Sequence, residues 1–98
     1  RLWSLIHRFK AGIESMGLTV MPSDSAIVPV LVGEAAPALG FAAVLRERGV
    51  YTPAVRPPSV PPGMCRIRVT LMATHTEEQI DAALHAFQAA RDAVPDVK

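Results

Sequence analysis

The stretch Arg56 to Leu71, RPPSVPPGMCRIRVTL, holds the residues best suited to chemistry. Arg66 and Arg68 alternate with Ile67 and Val69, so a strand here puts both guanidinium groups on one face. A guanidinium is a planar fork that takes a carboxylate through two parallel hydrogen bonds. On a strand the backbone beneath that fork is held, which suits binding. The same spacing also fits two arginines solvated on an open sheet face, or paired with a nearby Asp or Glu. Ahead of them, Pro57, Pro58, Pro61 and Pro62 frame Ser59 and Val60. Proline has a fixed φ and no N–H, so such a loop loses little entropy on ordering. Gly63 then permits a tight turn into the strand. The loop either steadies Ser59 beside a ligand or is a stiff connector between strands.

The other reactive side chains form no constellation. His75 stands at the start of a helix and reads as a capping-region residue rather than a base. His7 and His85 fall on helices without ligand-like spacing. Cys65, the single cysteine, cannot form an intrachain disulfide and reads as packed beside the strand; a reducing compartment suits it. There is no Gly-rich phosphate loop, no HExxH and no Ser-His-Asp order. The chain taken alone shows no catalytic residue and no metal site. A net charge of +1, spread along the sequence, gives nucleic-acid binding no electrostatic support. Residues 26–45 are apolar but broken by Glu34 and by prolines and glycines, so they read as strand, turn and helix rather than a membrane span. No signal-peptide pattern precedes them. The 98 residues suit one small domain, and a start at Arg1 that runs straight into a helical pattern has the look of a piece of a longer protein.

These residues need elements to position them. Leu2, Leu5, Phe9, Ile13 and Met16 mark an amphipathic helix that Gly17 stops, with a loop at Pro22, Ser23 and Asp24. Ile27 to Val32 is β-branched and apolar on both faces, as in a strand covered on both sides, with Pro29 implying an edge or a bulge. Residues 35–48 read as a helix carrying Leu39, Ala42, Ala43 and Leu45, with Arg46 and Arg48 at its cation-favouring end and Gly49 beyond. Val50 to Val55 is a second strand, placed at an edge by Pro53. Arg66 to Met72 is the third, with Ile67, Val69 and Leu71 on one face and Arg66, Arg68 and Thr70 on the other. Thr76 and Gln79 form a capping box for a last helix, with Glu77 and Glu78 in its first turn and Ile80, Leu84, Phe87 and Val94 as its stripe. The expected fold is α+β: a sheet of about three mainly antiparallel strands with helices packed on one face. The opposite face, polar at Arg66 and Arg68, meets water or a partner domain.

The segments AIVPVLVG and LRERGVYTPAVRPPSVPPGMCRIRVTLMATHTEEQID closely resemble the C-terminal part of the α-oxoamine synthases, fold-type I pyridoxal-phosphate enzymes. The resemblance covers nearly the whole chain, most strongly Ile27 to Leu84. It implies that residues 1–98 are the C-terminal subdomain of an aminotransferase class I/II-like enzyme whose large domain lies outside this chain. The family condenses an amino acid with an acyl thioester and releases carbon dioxide, pyridoxal phosphate acting as the electron sink. The RPPSVPPG…RIRVTL pattern is most similar to the branch that uses L-alanine and a pimeloyl thioester, on CoA or acyl carrier protein, for biotin biosynthesis.

By the motif match, Arg68 corresponds to the arginine that binds the amino-acid carboxylate. Ser59 corresponds to the substrate-contacting hydroxyl residue of the proline loop, commonly Thr in the family. Arg56 and Arg66 match family positions to which no role is assigned. A carboxylate held by Arg68 would help set the angle of the bond broken at Cα. The family's Schiff-base lysine, pyridine-facing aspartate and ring-stacking histidine lie upstream, and neither Lys10 nor Lys98 stands in that lysine's context. The resemblance therefore implies an inactive, cofactor-free fragment of a cytoplasmic, homodimeric enzyme, with no nucleic-acid or membrane partner. Three alternatives stay open. One is a stand-alone module that binds a carboxylate ligand or a protein through the polar sheet face. Another is a different branch, of the glycine C-acetyltransferase, 5-aminolevulinate synthase or serine palmitoyltransferase type. The last is a domain fused into a larger biosynthetic protein.

Overall fold

The structure is a computed structural model that describes residues 2–22, 26–56, 59–72, 74–94 and 97. The expected loop residues Ser23 and Asp24, and Pro57 and Pro58 of the proline loop, lie outside them. The elements run α1 (Leu2–Ser15), β1 (Thr19–Val20), β2 (Ile27–Gly33), α2 (Ala35–Glu47), β3 (Ala54–Val55), β4 (Cys65–Thr70) and α3 (Glu77–Ala93). The four strands form one antiparallel sheet in the order β1-β2-β4-β3. Helices cover one face, so the α+β expectation holds, with four strands rather than three. The extra one, β1, is two residues long and carries no pattern of its own. It forms because Gly17 (φ +82°) turns the chain back against β2, pairing Thr19 with Leu31 and Val20 with Val30.

The expected strand over Val50 to Val55 shrinks to Ala54–Val55. Pro53 precedes it and lends only its carbonyl, accepting from the Arg68 N–H at 3.1 Å. Pro29 needs a second correction, because β2 is an interior strand and the register shift falls between Leu31 and Gly33. The Met21 N–H donates to the Pro29 carbonyl at 2.8 Å, so the backbone polar groups of residue 29 face the spent end of β1 rather than β4. The N–H that proline lacks would have served only that last pairing.

Under the sheet sits an entirely apolar core, with no buried polar residue among those described. Val28, Val30 and Val32 of β2 meet Cys65, Ile67 and Val69 of β4 on this face. Helix α1 adds Leu5, Ile6, Phe9 and Ile13, with Leu2 and Met16 half-buried at its ends. In α2 the buried stripe is Ala38, Phe41, Ala42 and Leu45, while Leu39 is 47% exposed and Ala43 exposed. Positions 38, 41, 42 and 45 follow the i, i+3, i+4, i+7 rule, and 39 and 43 are turned away from it. Ile80 and Phe87 of α3 are buried as expected, joined by Ala86 and Ala90, with Leu84 and Val94 half-buried. The capping box forms: the Gln79 N–H donates to Thr76 Oγ1 at 3.1 Å and the Thr76 N–H to Gln79 Oε1 at 2.9 Å. No helix is long and apolar enough to cross a membrane.

Phe87 joins the helices. Its ring meets Phe9 edge-on and Phe41 at a tilt, each at 5.5 Å between centroids. On the surface of the same seam, Arg8 donates from Nε and Nη2 to the two carboxylate oxygens of Asp81, at 2.9 and 2.8 Å. The hydrogen bond from Arg8 holds the Asp81 carboxyl below its usual 3.8. A depressed folded pKa means stability that is present above 3.8 and lost as pH falls through the folded value.

Phe87→Ala is expected to cost about 3–5 kcal/mol in urea unfolding, the scale for emptying a core aromatic site. Asp81→Asn is expected to unfold at lower temperature than wild type at pH 7, with the gap closing once the pH falls below 3.8. A gap independent of pH would show that the ion pair contributes nothing.

Candidate substrate cleft

The pleat of β4 sorts its residues. Cys65, Ile67 and Val69 turn into the core, while Arg68 and Thr70 are exposed on the opposite face and Arg66 is half-buried there. Across β2 the register sets Leu31 against Arg66, Pro29 against Arg68 and Ile27 against Thr70. The Leu71 N–H donates to the Ala26 carbonyl at 3.0 Å, which makes 26/71, 28/69 and 30/67 the hydrogen-bonded pairs. Pro29 and Arg68 are thus a close, non-hydrogen-bonded pair. The Arg68 N–H points the other way, to Pro53. The backbone under the guanidinium is thus bonded to one proline and faces another across the sheet, both with φ locked.

The proline loop leaves β3 at Arg56 and returns at Met64. The Ser59 N–H donates to the Arg56 carbonyl at 3.0 Å, and the Met64 N–H to the Pro61 carbonyl at 3.1 Å. The second bond closes a turn with Pro62 and Gly63 at its centre, and Gly63 has φ +81°. Proline followed by a positive-φ glycine is the type II arrangement. Val60 packs against the core and ties the loop down beside the exposed Ser59.

The structure brings Ser59 and Arg68 together. With Ala54, Val55 and Arg56 they line an open cleft of about 380 Å³. Two arginines and a hydroxyl residue face it, with no carboxylate among its lining residues. Such a cleft suits an anion, above all a carboxylate that can accept a fork. Arg56, which opens the RPP run, matches a family position but is given no role by the sequence. Its membership depends on the loop folding back, which no local pattern records.

The remaining candidates stand elsewhere. His75 Nδ1 accepts from the Met72 N–H at 3.0 Å, and the His75 N–H donates to the Met72 carbonyl at 3.0 Å, so the side chain caps the strand-to-helix turn. It lines a second depression, of about 390 Å³, that contains neither Ser59 nor Arg68. His7 and His85 are exposed on separate helices, and Cys65 is buried. No group of three metal-ligating side chains occurs among the described residues. Lys10 lies on α1, on the covered side of the sheet, and is not among the residues that line the cleft.

The family model for aminotransferase class I and II matches residues 1–87. The 8-amino-7-oxononanoate synthase of Alkalilimnicola ehrlichii is 49% identical over 86 residues, 88% of this chain and 22% of that protein. Its counterpart in Cronobacter sakazakii is 51% identical over 87 residues, 89% of this chain and 23% of that protein. Among solved structures, the serine palmitoyltransferase of Sphingomonas wittichii superposes with a TM-score of 0.90 at 32% identity, over 99% of this chain and 25% of that one. The 8-amino-7-oxononanoate synthase of Francisella tularensis does so at 0.77 and 22% identity, over 94% of this chain and 27% of that one, a likeness of fold. The chain spans about a quarter of the length of these relatives.

Gly63→Ala is expected to destabilise the chain by about 1 kcal/mol, the cost of a left-handed L-residue, and to widen the separation of Ser59 and Arg68. Unfolding midpoints and a structure of the variant would check both. An unmoved loop would show that the turn is not set by Gly63.

Proposed function

The chain belongs to the aminotransferase class I and II family, and we propose that it is the C-terminal, substrate-binding subdomain of an α-oxoamine synthase. The observation that carries this reading is the cleft in which Arg68, Ser59 and Arg56 meet without a carboxylate. Arg68 takes the carboxylate of the amino-acid substrate. Two parallel hydrogen bonds fix the direction of the bonds at Cα, which is the part of catalysis a rigid strand can supply. Ser59 contacts the substrate from the loop. The favoured substrates are L-alanine and a pimeloyl thioester, joined with loss of carbon dioxide in biotin biosynthesis. Relatives named 8-amino-7-oxononanoate synthase, at 49% and 51% identity, support that choice. A serine palmitoyltransferase variant from S. paucimobilis, solved with a bound PLP–myriocin aldimine, is 35% identical with a TM-score of 0.89 over 98% of this chain and 25% of that one. Its likeness supports a second reading with L-serine as the amino acid.

Pyridoxal phosphate, the electron sink of such condensations, would be held by the rest of the polypeptide. The 98-residue chain alone is then inactive and binds no cofactor. The open face of the sheet, with Ile27, Pro29 and Leu31 only half-buried, is where that missing domain would close the cleft. The parent enzyme would be a cytoplasmic homodimer.

The full-length enzyme, reconstituted with pyridoxal phosphate, is expected to show a visible absorption band that responds to L-alanine more than to glycine or L-serine. A preference for serine or glycine would change the branch, and the lack of any band would remove the enzyme reading. Arg68→Ala is expected to raise KM for the amino acid about 10- to 100-fold, the range for losing charge-assisted hydrogen bonds. Steady-state kinetics with an unchanged KM would take Arg68 out of the site.

A further inference from the structure

Arg66 shares a face with Arg68 but does not line the cleft. It is half-buried, and its Nε–H donates to the Met64 carbonyl at 3.1 Å. Met64 is where the proline loop returns to the sheet, and its own N–H closes the Pro61 turn. Across the sheet Arg66 stands opposite Val55, the residue before the loop departs at Arg56. One side chain therefore occupies the neck of the loop, facing its exit and bonded to its re-entry. We propose that Arg66 is a positioning residue: its Nε–H closes the neck of loop 56–64 and so sets where Ser59 stands relative to Arg68.

The bond uses an N–H at the ε position, and the positive charge is incidental to it. Glutamine carries Nε2–H the same number of bonds from Cα. Methionine fills similar space with no donor. The pair separates a donor's role from a charge's role, which alanine would not do. The inference rests on reading the cleft as the substrate site.

The test uses the full-length enzyme. Arg66→Met is expected to raise, about five- to tenfold, the KM of whichever substrate Ser59→Ala affects, with a smaller change in kcat. Arg66→Gln is expected within about twofold of wild type. Ser59→Ala/Arg66→Met is expected to be no worse than Ser59→Ala alone, because residues acting through one contact are not additive. Hydrogen exchange of the segment 56–64 is expected to quicken in the Met variant and to recover in the Gln variant. If Arg66→Met does not fold, Arg66→Lys, whose donor lies one bond farther out, replaces it with the same expectation. A Gln variant as impaired as Met would mean that the charge acts on substrate directly, and would overturn the proposal. So would a Met variant with wild-type KM and exchange, or additive losses in the double variant. Failure of the cleft reading looks different: Arg68→Ala would then keep its KM, while exchange would still report whether Arg66 holds the loop.

Discussion

The antiparallel pairing of β2 with β4 is the constraint on which the rest of the structure depends. β4 lies between β2 and β3, so its register decides both faces at once. A slip of one residue would send Arg66 and Arg68 into the core and Ile67 and Val69 into water. Burying a guanidinium without a partner is far more costly than any local rearrangement could offset. The hydrophobic face of the strand is therefore what aims the arginines. The helices enforce it by covering that face with an apolar core built around Phe87.

Stiffness in this chain is concentrated around one guanidinium. Pro29 lies directly across the sheet from Arg68, and Pro53 accepts its backbone N–H. Pro61 and Pro62 shape the turn by which the Ser59 loop returns. Proline is poorly suited to a sheet because it lacks a donor, yet each of these sits where the missing N–H costs little. Pro29 faces the end of a two-residue strand, and Pro53 stands just before one. Placing rigid residues at such positions lowers the entropy lost when the cleft is ordered, which is the physical content of preorganisation.

The two faces of the sheet are finished to different degrees. The helix side is covered by an apolar core. The other side presents half-buried Ile27, Pro29 and Leu31 beside two arginines, a mixture of apolar floor and cationic rim. A cation near apolar surface interacts more strongly with an anion once water is excluded. Further polypeptide closing over this face, as proposed above, would supply that exclusion.

Much of this was legible in the sequence because it depends on local period and local chemistry. The alternation of RIRVTL, the helical spacing of Leu5, Phe9 and Ile13, the capping box at Thr76 and Gln79, and the turn glycine Gly63 each follow from a few neighbouring residues. The resemblance carried by the RPPSVPPG and RIRVTL motifs implies the roles proposed for Arg68 and Ser59, which spacing alone left open. What only the tertiary structure decided are the pairings between distant segments. It made β2 interior despite Pro29, added β1, shortened the strand at Val50 to Val55, and rotated Leu39 outward while Phe41 turned in. It also brought Arg56 to the cleft and set Arg66 at the neck of the loop. These outcomes turn on which backbone groups find partners across the sheet, and a donor's partner dozens of residues away leaves no periodic trace along the chain.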